Sequence, residues 1–168
     1  MKALLRIAVL VFILFATYAC AKKDTTTSSS STSTNANPQP TVTNFSVNGV
    51  ASNAPNPSTD TIGGNFIVEA TDANGYPKIQ IKFLGKTAPI SGPYSIYGSA
   101  SGAFQCSFML TTATSSTVTP TIVSTASSGI VNISAAATPN NSATFSNIVC
   151  TNTGTATTTY TVTGTIKY

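Results

Sequence analysis

The sequence predicts an all-β domain, an antiparallel β-sandwich of immunoglobulin-like or related type with a closed barrel as the alternative. Three observations carry this expectation. Beyond Val42 the apolar residues alternate with polar ones or fall in short runs, and no stretch shows the 3.6-residue period of a helix. Turn-forming Asn, Asp, Gly and Pro divide these runs at short intervals. Serine and threonine approach a third of the chain while charged residues are only 7%, and the branched Cβ of threonine suits a pleated strand better than a helix.

Residues 1–19 read as an export signal. Lys2 and Arg6 precede or open an apolar run from Ile7 to Ala16, which gives way to Thr17, Tyr18 and Ala19. Crossing a bilayer core of about 30 Å as a helix takes about 20 apolar residues, so the run fits a removable signal core and not a span. A cysteine placed directly after such a core has no structural task there. Thr17-Tyr18-Ala19-Cys20 resembles the bacterial lipobox in the looser form found in Bacteroidota, with Thr where Leu is commonest. The resemblance implies a diacylglycerol on Cys20 and a membrane partner reached through that lipid anchor. Ordinary cleavage after Ala21 is the alternative, because Ala19-Cys20-Ala21 also fits a small-x-small site. Ala21, and not Asp, at the second mature position implies the outer membrane. Lys22-Lys23-Asp24 partly matches a surface-export signal, so periplasmic and cell-surface faces both stay open.

Residues 20–41 then carry the acylated cysteine on a tether. From Thr25 to Thr41 there is no large apolar side chain, so the segment has too little to bury to offset its ordering entropy, which predicts a disordered linker. About 20 such residues have a root-mean-square reach on the order of 25 Å. Asp24-Thr25-Thr26 and Asp60-Thr61-Ile62 resemble the Bacteroidota O-glycosylation signal, which makes Thr25 and Thr61 candidate acceptors. A three-residue match in so threonine-rich a chain also arises by chance.

Residues 42–168 form the single β domain, with strands expected near 42–47, 65–71, 78–84, 93–98, 103–110, 117–124, 129–136, 143–150 and 157–168. In the last, Tyr160, Val162, Gly164, Ile166 and Tyr168 alternate with Thr161, Thr163, Thr165 and Lys167, the pattern of one buried and one wet face. Ile79, Ile81 and Phe83 alternate in the same way with lysine and glutamine, and Phe104, Cys106, Phe108 and Leu110 form a third such face. Asn48-Gly49 and Asp72-Ala73-Asn74-Gly75 are turn signals, since Asn and Gly accept the positive φ of hairpin turns. Asn44-Phe45-Ser46-Val47-Asn48-Gly49, Ser91-Gly92-Pro93-Tyr94-Ser95-Ile96, Ser128-Gly129-Ile130-Val131-Asn132-Ile133 and the closing Tyr160–Ile166 run resemble a family of lipoprotein domains common in Bacteroidota. That family has no established activity, so the resemblance implies address and architecture only. The aromatic that often follows its Asn-Gly pair is replaced here by Val50-Ala51-Ser52-Asn53.

Little in the domain carries chemistry, and the sequence reads as non-enzymatic and without a cofactor. There is no His, hence no Ser-His or Cys-His pair and no imidazole ligand. The net charge of +4 belongs mainly to the leader: from Val42 onward four lysines stand against three acids, which gives no argument for nucleic acid as a partner. Asp72 and Glu69 offer oxygens to calcium, but the Asp72–Gly75 turn needs no metal. Lys78 and Lys82 on one strand face suggest an exposed edge, where lysine deters strand pairing. Tyr94 and Tyr97 are candidate ligand contacts, although three residues apart on a strand they face opposite sides. Cys106 and Cys150 remain as a pair once Cys20 is acylated, and an oxidising compartment favours a disulfide between them. Such a bridge would close a loop of about 44 residues and stabilise by about 4 kcal/mol; two separately buried thiols are the alternative. The functional expectation is an envelope-anchored structural or protein-interaction module, with a carbohydrate-binding or adhesive surface module as the alternative.

Overall fold

The computed structural model describes residues 42–53, 55–114, 121–136, 140–152 and 157–168. The leader, Cys20, the tether with Thr25, and the 117–120 part of an expected strand lie outside these residues.

The described chain is all-β. Its strands are β1 (Asn44–Val47), β2 (Val50–Ala51), β3 (Asn56–Ile62), β4 (Asn65–Thr71), β5 (Lys78–Leu84), β6 (Gly92–Ile96), β7 (Gln105–Ala113), β8 (Thr121–Ala126), β9 (Ile130–Ser134), β10 (Ser142–Asn152) and β11 (Thr158–Lys167). They join in the order β2-β1-β11-β10-β9-β6-β7-β5-β4-β3, while β8 pairs with both β10 and β7. The gap between β10 and β7 is therefore spanned at one end by β9 and β6 and at the other by β8. There the sheet folds over into two leaves, β2-β1-β11-β10 and β7-β5-β4-β3, whose inner faces make a sandwich. Phe108 of β7 meets Phe145 of β10 edge to face at 5.0 Å. The Thr112 and Tyr160 hydroxyls bond across the leaves at 3.4 Å. The path ends at β2 and β3, so the eleven strands do not close into one barrel; closure is local, around β10-β9-β6-β7-β8. Pairing is antiparallel except between β6 and β7, which run parallel at Ser95↔Gln105 and Ile96↔Cys106.

The alternating segments land as their pattern dictates. On β5, Ile79, Ile81 and Phe83 are buried while Lys78, Gln80 and Lys82 are half-buried on the other face. On β11 the inward set includes Gly164, where a Cβ would lie 2.5 Å from the Asn44 carbonyl oxygen and from Cα and Cβ of Phe45. Glycine lets β1 close on β11 at this point, and its two ladder partners, Phe45 and Phe145, supply the buried apolar mass it lacks. Thr165 departs from the wet face: it is buried, and its hydroxyl shares a 3.1 Å bond with that of Thr144.

Two features follow from tertiary register. On β10 the pairing shifts between Phe145 and Ile148, with Asn147 at a φ of 53° and its N–H donating to Thr163 Oγ1 at 2.9 Å. This bulge inserts one residue, so Phe145, Ile148 and Cys150 all face inward although strict alternation would put Phe145 and Cys150 on opposite faces. The second feature is β3, a strand where the sequence suggests only a loop. Asn56-Pro57-Ser58-Thr59-Asp60-Thr61-Ile62 is exposed throughout and has no apolar alternation to reveal it. It is held by β4 through the Gly63-Gly64 turn, both glycines at positive φ.

The lysine expectation is corrected by the same topology. β5 lies between β4 and β7, so Lys78 and Lys82 are not on an edge; Lys78 instead pairs with Glu69 of β4 at 2.7 Å. The long free edge is β3, blunted by Pro57, which has no N–H, and by Asp60, whose carboxylate takes the Thr61 N–H at 2.6 Å.

Candidate functional site

Beyond the end of β5 the chain crosses residues 85–91 to reach β6, and after β6 it crosses 97–104 to reach β7. Between these two connections lies a groove of about 430 Å³. Its floor is an aromatic stack: Phe83 meets Tyr94 edge to face at 5.0 Å, and Tyr94 meets Phe104 at 5.4 Å with the rings tilted by 44°. The Tyr94 hydroxyl donates to the Ile90 carbonyl at 3.3 Å and ties the first connection to the floor. Burial pushes the Tyr94 phenol above its ordinary pKa.

Phe104 is the unusual member. It has a φ of 57°, a conformation that bulky side chains rarely adopt. The neighbouring bonds fix it there: the Ser95 N–H donates to the Phe104 carbonyl at 2.9 Å, and the Gln105 side-chain oxygen accepts from the Ser101 N–H at 3.2 Å. Its ring lies over Gly92, whose missing Cβ would stand 3.5 Å from the ring edge. The result is an aromatic 47% exposed at the groove mouth, beside Leu84 at 55% and Ile90 at 63%. Strained backbone of this kind costs on the order of 1–3 kcal/mol and collects at sites of function. Among the described residues, the polar side chains lining the groove are Thr87, Tyr94 and Gln105.

The candidate residues read from sequence are distributed as follows. Tyr94 is buried in the groove floor while Tyr97 is exposed; they occupy opposite faces and do not form one platform. Phe104, expected on the core face with Cys106 and Phe108, instead precedes β7 and turns outward. Sequence reasoning missed it, together with Leu84 and Ile90, because Phe104 and Leu84 sit where alternation stops at a strand end and Ile90 lies in the connection between two strands. The nearest signal is the small-residue run Ser99-Ala100-Ser101-Gly102 just before Phe104. Thr61 is exposed on β3.

The expected Cys106–Cys150 disulfide is absent, and both cysteines are buried free thiols. Cys106 stands opposite Phe83 and Ile96, and Cys150 opposite Tyr160 and Ala126. The two share no ladder partner: Cys106 is held between β5 and β6 and Cys150 between β8 and β11, so no strand pairing brings the thiols opposite each other. Burial pushes both thiols up to about 12, which leaves them packed as small apolar groups.

Asp72 serves its turn. Its carboxylate accepts the Asn74 N–H at 2.8 Å and the Asn53 N–H at 2.5 Å, and the Ala73 N–H donates in turn to the Asn53 carbonyl at 3.0 Å. These bonds clasp the segment after β2 to the β4–β5 turn. Among the described residues no group of three or more His, Cys, Asp or Glu converges as metal ligands. Comparison with family models, curated proteins and solved structures gave no match.

Proposed function

We propose that this protein is an outer-membrane lipoprotein, of the Bacteroidota lipoprotein-domain type that its motifs resemble. In this reading it is exported by residues 1–19, acylated on Cys20 and tethered through residues 20–41. Its β domain acts by contact and not by catalysis, as a structural or interaction module of the envelope. The observation that carries the reading is the composition of the groove. Apolar and aromatic walls around a strained, half-exposed Phe104 suit the burial of a partner's apolar surface.

Replacing Cys20 by Ser tests the anchor. Labelled fatty acid is expected to enter the wild-type protein and not the variant, and a wild type that takes up no label would end the lipoprotein reading.

A carbohydrate-binding module is the second reading, favoured by one observation: the open Phe104 ring has the Gln105 amide next to it in the groove lining. A glycan array separates the two. Saturable sugar binding that is lost in Phe104→Ala would establish the second reading, whereas no binding is expected of a structural or protein-contacting module.

A further inference from the structure

The domain is entered at Val42 and Thr43, at the groove end of the sandwich. Thr43, at the entry, is clasped to the last strand: the Lys167 N–H donates to its Oγ1 at 3.0 Å, and that hydroxyl donates to the Lys167 carbonyl at 3.2 Å. The next residue, Tyr168, places its ring 6.2 Å from Phe66. Phe66 is the ladder partner of Phe83, which lies under Tyr94 in the groove floor. Entry point and groove therefore share one end of the domain, where Leu84, Ile90, Phe104 and Val42 are all exposed apolar residues.

Charge is divided along the same axis. Lys86 lies exposed between two groove-lining residues, and Lys167 lies beside the entry point. Glu69 and Asp72 lie toward or past the far end of β4. Asp60 is the one acid in the near half, and its carboxylate is turned onto the Thr61 N–H.

We infer that this end of the sandwich docks on the anionic bilayer surface, with Phe104, Leu84 and Ile90 entering the boundary between headgroups and acyl chains and Lys86 against the headgroups. The inference rests on the lipid anchor at Cys20 of the proposed function. A tether of about 20 residues holds its domain at an effective concentration on the order of millimolar, so an apolar contact too weak to hold a free protein suffices for a tethered one. Phe104 in its outward conformation supplies an aromatic at the depth where membrane interfaces accept such rings.

The chain has no Trp, so single-tryptophan reporters are clean. Phe104→Trp and Ile90→Trp place an indole at the groove mouth, and Tyr76→Trp places one in the β4–β5 connection at the other end. The chain from Cys20 to Tyr168 is coupled through the Cys20 thiol to maleimide lipid in vesicles of phosphatidylethanolamine and phosphatidylglycerol with brominated acyl chains. Cys106 and Cys150 are buried and stay unreacted. Coupling in this way makes the measurement independent of acylation in cells, which labelled fatty acid reports separately. The 104 and 90 reporters are expected to shift to the blue and be quenched by the brominated chains, while the 76 reporter stays wet. Adding Lys86→Glu is expected to weaken docking about 30-fold on these vesicles, with one protein–membrane charge attraction lost and one repulsion gained. Reporters at 104 and 90 that remain water-exposed, or that are quenched no more than the one at 76, overturn the inference.

Discussion

Where β4 passes to β5, the Asp72 carboxylate takes two backbone N–H groups, one from its own turn and one from the segment after β2. At the opposite end, where β5 passes to β6 and β6 to β7, backbone bonds hold Phe104 in a left-handed conformation with its ring half in solvent. Both ends connect strands of the same sandwich, yet one satisfies a charge and closes while the other leaves apolar surface uncovered. Packing explains the first. It does not require the second, because a ring turned inward with ordinary φ would be the lower-energy choice for folding alone. This uncovered end is the surface on which the proposed contact function rests.

The largest expected effect separates floor from mouth within the groove. Phe83→Ala removes a buried ring and is expected to cost about 3–5 kcal/mol of folding stability. Phe104→Gly relieves the left-handed strain while losing a half-exposed contact, so its stability is expected within about 1 kcal/mol of wild type. Denaturant unfolding of the two variants checks this. Equal losses would mean that Phe104 belongs to the core, and the contrast between the ends would fail.

A smaller effect concerns the middle of the sandwich. Cys106 and Cys150 ionise near 9 when unfolded but only near about 12 when folded, and the buried Tyr168 phenol moves from 10 to about 12. A raised folded-state pKa gives stability that is whole below the unfolded value and lost as pH climbs toward the folded one. Melting temperature is therefore expected to fall between pH 9 and 12, and replacing both cysteines by Ala or Val is expected to flatten part of that fall. With Cys20→Ser as background, alkylation without reductant is expected to label neither thiol in the native protein and both after unfolding. No labelling after unfolding would reveal a bridge.

The smallest expected effect is in acid, at the polar end. The Asn74 N–H first, and then the Asn53 N–H, hold the Asp72 carboxyl below its ordinary value. Its contribution is present above the unfolded value of about 3.8 and is lost as pH falls through the lower folded one. Amide exchange at Asn53 and Asn74 is expected to quicken in that range while exchange at Ser95, which bonds Phe104, keeps its ordinary pH dependence. Asp72→Ala should show the quickened pattern already at neutral pH. A uniform response of the two ends would erase the distinction between them.

Legibility in the sequence tracks locality. β4 and β5 have the expected bounds, 65–71 and 78–84, because a short apolar run bounded by turn residues, in β4, and strict alternation, in β5, need no partner to be read. β3 has the same ladder length as β4 but no apolar alternation, so its strand character comes only from β4 beside it. The facing of Cys150 depends on one inserted residue at the Asn147 bulge, which the Phe145–Cys150 run does not display. Of the groove, Tyr94 was legible as a candidate contact, while Phe104 was hidden by the alternation that it shares with Cys106 and Phe108 although it stands outside β7.

By itself the sequence determined the all-β class, the inward and outward faces of the strongly alternating strands, and the Asp72–Gly75 turn, since these follow from side-chain period and local backbone preference. The tertiary structure decided the fold-over of one sheet into two leaves, the parallel β6–β7 pair, the separation of the two thiols and the outward Phe104. Each of these depends on which strands become neighbours and in what register, and that is settled by the joint packing of residues far apart in the chain.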